Sequence, residues 1–166
     1  MRIVCVAGGS YKSFYLNRFL KLNKCDLIVF NFGIFYNINS KSSNKAKLIF
    51  QEIRDLSDCK NCVVVAGVVI NYNSFFVVCK NKAFKIYPSK YNVKLKVKDK
   101  VILITKGNTF SSVKNKIIFT NCKRCVNIKA CSPNKNYIFI HDYGIDIVKN
   151  KKLKRNFNKC SNFILK

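Results

Sequence analysis

Short apolar runs alternate with amphipathic stretches through the first half of the chain. "RIVCVAG", "DLIVFNFGIF" and "CVVVAGVV" read as buried strands. Between them, "YKSFYLNRFLKLNK" sets Phe14, Leu16, Phe19, Leu20 and Leu22 near helical spacing, and "NKAKLIFQEIRDLSD" sets Leu48, Ile49, Ile53 and Leu56 on one helical face. This order predicts a mostly parallel buried sheet with flanking helices. The second half breaks into shorter pieces, "SFFVVCK", "AFKIYP", "VKLKVKDKVILITKG", "NKIIFTNC" and "NYIFIHD", which predict antiparallel strands. In "VKLKVKDKVILI", Val93, Leu95 and Val97 share one face and lysines the other. The expected architecture is one α/β domain over residues 1–148 and a basic C-terminal tail over 149–166. In that tail "KNKKLKRNFNK" is too charged to pack alone and is expected to order against nucleic acid.

Charge adds a partner to this picture. Thirty-two Lys and Arg oppose seven acidic residues, for a net charge of +25. Residues 1–75 carry 10 basic and 4 acidic residues, and residues 76–166 carry 22 and 3. Self-repulsion of that size favours a polyanionic partner, and a phosphate backbone gains from counterion release. RNA is therefore the expected partner, contacted by Lys123, Arg124, Lys151, Lys152, Lys154 and Arg155. The longest apolar run, "CVVVAGVVI", suits one strand and is too short for a membrane span. Without a signal pattern at its start, the chain is expected to be intracellular.

Nine cysteines in that setting read as reduced thiols. Cys59, Cys62, Cys122 and Cys125 form two C-x-x-C pairs, with Cys131 nearby, and have the composition of a zinc site. Their wide separation and the strand position of Cys62 favour incidental thiols, and no cofactor is expected. "AGGSYKS" lacks P-loop spacing. Cys122 with His141, the single histidine, makes a nucleophile pair on paper only.

The strand ends, "AGGSYK", "FNFGIF", "AGVVIN", "TKGNTF" and "IHDYG", stand where α/β sheets bind ligands. In this order they resemble the calcineurin-like metallophosphoesterases, above all the lariat-debranching enzyme and its CWF-type debranching-associated relatives. "RIVCVAGGSYKSFYLNRF" is similar to the opening GD-x-x-G motif, "CDLIVFNFGIF" to the second motif, and "IFIHDYGIDIV" to the L-[ST]-H-D-W-P-x-x-I signature. The resemblance implies a two-metal site of Asp, Asn and His ligands. Here the ligand positions fall on Gly8, Ser10, Gly33 and Val68 or Val69, leaving only His141 and Asp142 as relics. A second resemblance, carried by "RFLKLNKCDLIVF", "VVVAG", "YNSFFVVCKNKAFKIYPSK" and "KIIFTNC", is to the nitrilase fold, with Lys90 and Cys122 as would-be catalytic residues. That chemistry needs glutamates as base and orienter. Glu52 is the one glutamate, on an expected helix, and the chain is short for that fold.

The first resemblance and the charge together imply a catalytically inactive RNA-binding protein without metal or cofactor. Its expected residence is the cytoplasmic ribosome, among ribosomal RNA and ribosomal proteins, as a hibernation factor or a lineage-specific component. The alternative is a nuclear splicing or lariat-debranching-associated protein, and the third reading is a residual RNA phosphoesterase.

Overall fold

In a computed structural model of the chain, the described residues are 1–7, 24–38, 43–107, 113–120, 131–141, 144–156 and 160–164. They form β1 (Arg2–Val6), β2 (Leu27–Ile38), α1 (Ser43–Lys60), β3 (Val63–Ile70), β4 (Asn73–Lys80), β5 (Ala83–Pro88) and β6 (Val93–Val97). There follow β7 (Lys100–Lys106), β8 (Asn115–Phe119), β9 (Asn136–His141), β10 (Gly144–Lys149), β11 (Lys152–Asn156) and β12 (Cys160–Ile164). The strands make two six-stranded sheets, ordered β12-β1-β2-β3-β4-β5 and β11-β10-β9-β8-β7-β6. Each holds a parallel trio, β1-β2-β3 in one and β7-β8-β9 in the other, continued by antiparallel strands.

This corrects the expected α/β architecture with flanking helices. Strands dominate, and the described residues contain one helix. The reason lies in what covers the parallel strands. Ile3, Cys5, Leu27, Val29, Val65 and Phe76 pack against Ile102, Ile104, Ile117, Phe119, Ile138 and Ile140, so sheet covers sheet. The outer face of the first sheet (Val4, Ile28, Phe30, Val64, Ala66) takes Ile49, Ile53 and Leu56 of α1. On the second sheet Ile118, Tyr137, Phe139 and Val148 are buried on the opposite face, with Cys131. Burial on both faces makes a strand apolar throughout, and a sequence cannot tell whether helix or sheet supplies the cover. The helix expected over 11–24 lies almost wholly outside the described residues.

Three hairpins close through two-residue turns with both central residues at positive φ: Asn71-Tyr72, Asn81-Lys82 and Asn150-Lys151. Asn tolerates this conformation, and the turn's twist matches that of the strands it joins. The third turn sets β11 antiparallel to β10. Residues 160–164 then cross to the other sheet and pair with β1. The basic segment is thus integrated into both sheets, with β11 and β12 as edge strands.

Asp26 ties the sheets at the amino end of β2. Its carboxylate accepts the Arg2 amide at 2.8 Å and faces the Lys98 ammonium at 2.9 Å. Lys98 lies in the β6–β7 turn of the opposite sheet. Partial burial works against ionisation, but the Lys98 ammonium and the Arg2 amide hold the carboxyl below its ordinary value of 3.8. A carboxyl lowered in the folded state stabilises above the unfolded pKa, and that gain disappears as pH falls through the folded pKa. Asp26→Asn should therefore cost about 1 kcal/mol at neutral pH. Urea unfolding of both proteins should show the difference shrinking below about pH 4, and a constant gap would remove the ion pair from this account.

Candidate active site at the mouth between the sheets

β7 and β8 end together beside the middle of β2 and the start of β4, at one mouth of the sandwich. Register fixes which side chains face inward there. Lys106 pairs with Phe119 across β7 and β8, and Gly67 with Phe76 across β3 and β4. Phe32, Phe76 and Phe119 form a three-ring cluster with centroids 5.2–5.5 Å apart. They supply an apolar floor at tilted and edge-on geometries favourable to aromatic pairs.

Gly67 makes room for this floor. A Cβ there would lie 2.8 Å from Cγ of Phe32, closer than real contacts allow. The residue is thus required for close approach, in the middle of a strand whose other members are Val, Ala and Ile.

Above the rings sits a polar rim. Lys106 Nζ lies 5.2 Å from the Phe32 centroid and 2.9 Å from Ser74 Oγ. Ser74 is half-buried near the start of β4, two residues before Phe76 and on the same face. Its carbonyl accepts the Ser89 amide at 3.0 Å. Next to Lys106, the buried Thr105 hydroxyl donates to Asn92 Oδ1 at 2.8 Å. Gly107, at φ +82°, turns the chain away, and its amide donates to the Phe119 carbonyl at 2.9 Å. An amine and a hydroxyl in contact over an aromatic floor, reachable from solvent, are the components of nucleophilic acyl chemistry.

The expected site residues fall elsewhere. Lys90 is exposed, its ammonium 5.1 Å from the Tyr91 ring. Cys122, Lys123, Arg124, Cys125, Gly8 and Asp142 lie outside the described residues. Gly33 is within β2 and His141 within β9, in different sheets. The metallophosphoesterase resemblance needs His141 turned into the crevice between the sheets, whereas the alternation along β9 turns it outward. His141 is buried on the outward face with Phe139, its Nε2 3.4 Å from the Asp146 carboxylate. Lys151, Lys152, Lys154 and Arg155 are exposed along the β10–β11 hairpin. Cys59 is exposed on α1, whereas Cys62 is buried and donates a hydrogen bond to Cys25, which lowers the Cys25 pKa and raises that of Cys62. The four cysteines of the zinc reading therefore begin with two thiols in unlike settings. No group of three or more metal-ligating side chains occurs among the described residues, and no helix there is long and apolar enough to cross a membrane.

Searches against protein-family models and curated protein sequences find no match. Solved structures do match. A CN-hydrolase superfamily protein from Xanthomonas campestris, whose active site carries an arsenic adduct, superposes with a TM-score of 0.67 at 10% identity, covering 98% of this chain and 89% of that one. A cysteine-to-serine variant of the Nesterenkonia AN1 amidase, of the nitrilase superfamily, gives 0.68 at 8%, with the same coverage. The chain has a nitrilase-type fold. A glutamine-dependent NAD+ synthetase from Acinetobacter baumannii matches with 0.64 at 11% identity, over 98% of this chain and 45% of that one.

These likenesses overturn the metallophosphoesterase assignment and what hung on it. The inactive ribosomal protein and its debranching-associated alternative combined the chain's charge with lost metal ligands of a fold the chain does not have, and without that fold they do not follow. The conclusion that the chain is no enzyme falls for the same reason. Setting the nitrilase resemblance aside for want of glutamates confused a catalytic set with a fold. The glutamate count itself still matters, because Glu52 lies on α1, against the outer face of the first sheet and remote from the mouth. Lys106 and Ser74 went unnoticed in the sequence, although "TKGNTF" was marked as a strand end. Ser74 follows an Asn-rich turn and carries no local signal.

Gly67→Ala should destabilise the protein by about 1–3 kcal/mol, by driving a methyl into the Phe32 ring. Phe32→Ala, which removes the Cγ, Cδ1 and Cδ2 atoms that the methyl would strike, should cost less in the Gly67→Ala chain than in the wild type. Thermal unfolding of the single and double variants measures the coupling, and strict additivity would show that the ring does not occupy this space.

Proposed function

We propose that the chain is a hydrolase of amide-type C–N bonds, working at the mouth between the sheets with Ser74 as nucleophile and Lys106 as base. The observation carrying this reading is the 2.9 Å contact between Lys106 Nζ and Ser74 Oγ. The fold supports it, since its neighbours include a CN-hydrolase superfamily protein and an amidase. The cysteine, lysine and glutamate set expected of nitrilase chemistry is not reproduced at this mouth among the described residues, so a serine–lysine pair takes the role.

In its amine form Lys106 removes the hydroxyl proton as Ser74 Oγ bonds to the substrate carbonyl carbon. The resulting ammonium gives that proton to the departing amine as the C–N bond breaks. Water, deprotonated by the same lysine, then cleaves the Ser74 ester and restores both side chains. Phe32, beneath the ammonium, offers an apolar surface for the acyl group. The reduced thiols of the described cysteines suit a reducing, intracellular setting.

A fluorophosphonate probe tests the nucleophile without knowledge of the substrate. Wild-type protein should be labelled at Ser74, as read by peptide mass spectrometry, and Ser74→Ala should not. Lys106→Arg keeps the charge above Phe32 but cannot act as a base. It should lower labelling, and turnover of small amides, by about a thousand-fold. Absence of label on the wild type, or full labelling of Lys106→Arg, would overturn the reading.

A further inference from the structure

The CKNC motif at 59–62 has the spacing of a redox C-x-x-C pair, but the fold parts its two cysteines. Cys59 is exposed near the end of α1, whereas Cys62 lies past the helix, buried against the outer face of the first sheet. The fold gives Cys62 a different partner, Cys25. Leu27 and Val63 are register partners in the parallel pair β2-β3, so the two cysteines stand side by side where these strands begin. The Val63 amide donates to the Asp26 carbonyl at 3.1 Å, joining the residues that directly follow the two cysteines. The chain bends at Asp26, and both cysteine side chains enter the buried cluster beneath α1, with Ile28, Leu56 and Val64.

Cys62 is held in place by its backbone. Its amide donates to the Ser57 carbonyl at 3.2 Å, and its carbonyl accepts the Ser57 hydroxyl at 2.6 Å. The Cys62 thiol donates to Cys25, and this bond holds the Cys25 pKa below its ordinary 9.0 against the opposing effect of burial, with the Lys60 ammonium assisting. Thiolate character at one sulfur, with a second sulfur in contact, is what disulfide formation requires. Cys62 also forms part of the wall of a cavity of about 550 Å³, where Asn61 and Asn81 suit a small hydrogen-bonding oxidant.

We propose that Cys25 and Cys62 form a reversible disulfide when hydrogen peroxide enters this cavity, tying the start of β2 to the start of β3. Cys62 Sγ, the sulfur at the cavity, attacks one peroxide oxygen as its proton passes to Cys25. The O–O bond breaks, leaving a sulfenic acid on Cys62 and releasing hydroxide. That hydroxide takes the proton from Cys25 and becomes water. The Cys25 thiolate then attacks Cys62 Sγ, the S–O bond breaks, and a second hydroxide leaves, to be protonated by solvent. Two sulfurs are oxidised to a disulfide and one peroxide is reduced to two waters. A small dithiol reverses the step by exchange and becomes the disulfide itself. Bonds of this transient kind are the ones found in chains whose thiols are otherwise reduced.

Hydrogen peroxide added to the full chain, then alkylation in denaturant and mass spectrometry of unreduced tryptic peptides, tests this. Cleavage after Lys60 separates Cys59 from Cys62, so their cross-links are distinguishable. A Cys25–Cys62 disulfide is expected in the wild type and in Cys59→Ser, and it should be lost after dithiothreitol and in Cys25→Ser. Urea unfolding supplies a second readout. The oxidised wild type should unfold at higher urea than the reduced chain, since the bond constrains the unfolded state, and dithiothreitol should abolish the shift. Cys25→Ser, shown to be folded by far-ultraviolet circular dichroism, should give no shift with peroxide. A Cys59–Cys62 bond in the wild type would restore the C-x-x-C pairing and overturn the proposal. Cys25 and Cys62 both remaining open to alkylation after peroxide would overturn it as well.

Discussion

The structure depends on burying one β-sheet face against another. Ile3, Leu27, Val29 and Val65 on one side, and Ile102, Ile104, Ile117, Ile138 and Ile140 on the other, are all almost fully excluded from water. Each such side chain contributes about 1.5–3 kcal/mol relative to exposure, and chain entropy consumes most of the sum. Facing the two parallel trios fixes the position of everything else. Carboxyl ends of β7 and β8 then open at one mouth beside β2 and β4, and the edge strands β5 and β6 leave a flank. α1 contributes to a separate layer, since its Ile49, Ile53 and Leu56 cover the outer side of the first sheet.

The individual strands were legible because β-branched runs such as "VVVAGVV" and "KIIF" have few other uses at that length. The alternation in "VKLKV" also indicates the inward face of β6, since Val93 and Val97 are buried and the lysines between them exposed. The partner of each face was not legible. A run buried on both sides looks alike under a helix and under a sheet, which is why a sandwich was taken for a helix-flanked α/β domain. The segment after residue 149 misled for a different reason. Its lysines and arginine lie on an edge strand, where hydrogen bonds to β10 hold the backbone while the charges stay in water. Local charge density reports solvation of side chains and says little about whether the backbone finds a partner.

The site was harder still, for reasons of distance in the chain. Phe32, Ser74 and Lys106 come from β2, β4 and β7, and only the inter-sheet packing brings them together. A motif search looks for chemistry at short spacing, which is how His141-Asp142 attracted notice. That histidine instead lies in a buried strand beside Asp146, directed away from the inter-sheet core. Gly67 was visible as the one glycine in a run of Val and Ala, but its purpose, clearance for the Phe32 ring, exists only in three dimensions.

A short piece of backbone braces both strands that carry the Ser74–Lys106 pair. The connection between β5 and β6 holds Ser89, whose amide donates to the Ser74 carbonyl, and Asn92, which accepts the Thr105 hydroxyl next to Lys106. The pair itself is a single 2.9 Å hydrogen bond at a solvent-facing rim, which a shift of a few tenths of an ångström is enough to lengthen out of its favourable range. Holding the backbone of β4 and of β7 from one connection is what keeps the nucleophile and its base at that distance.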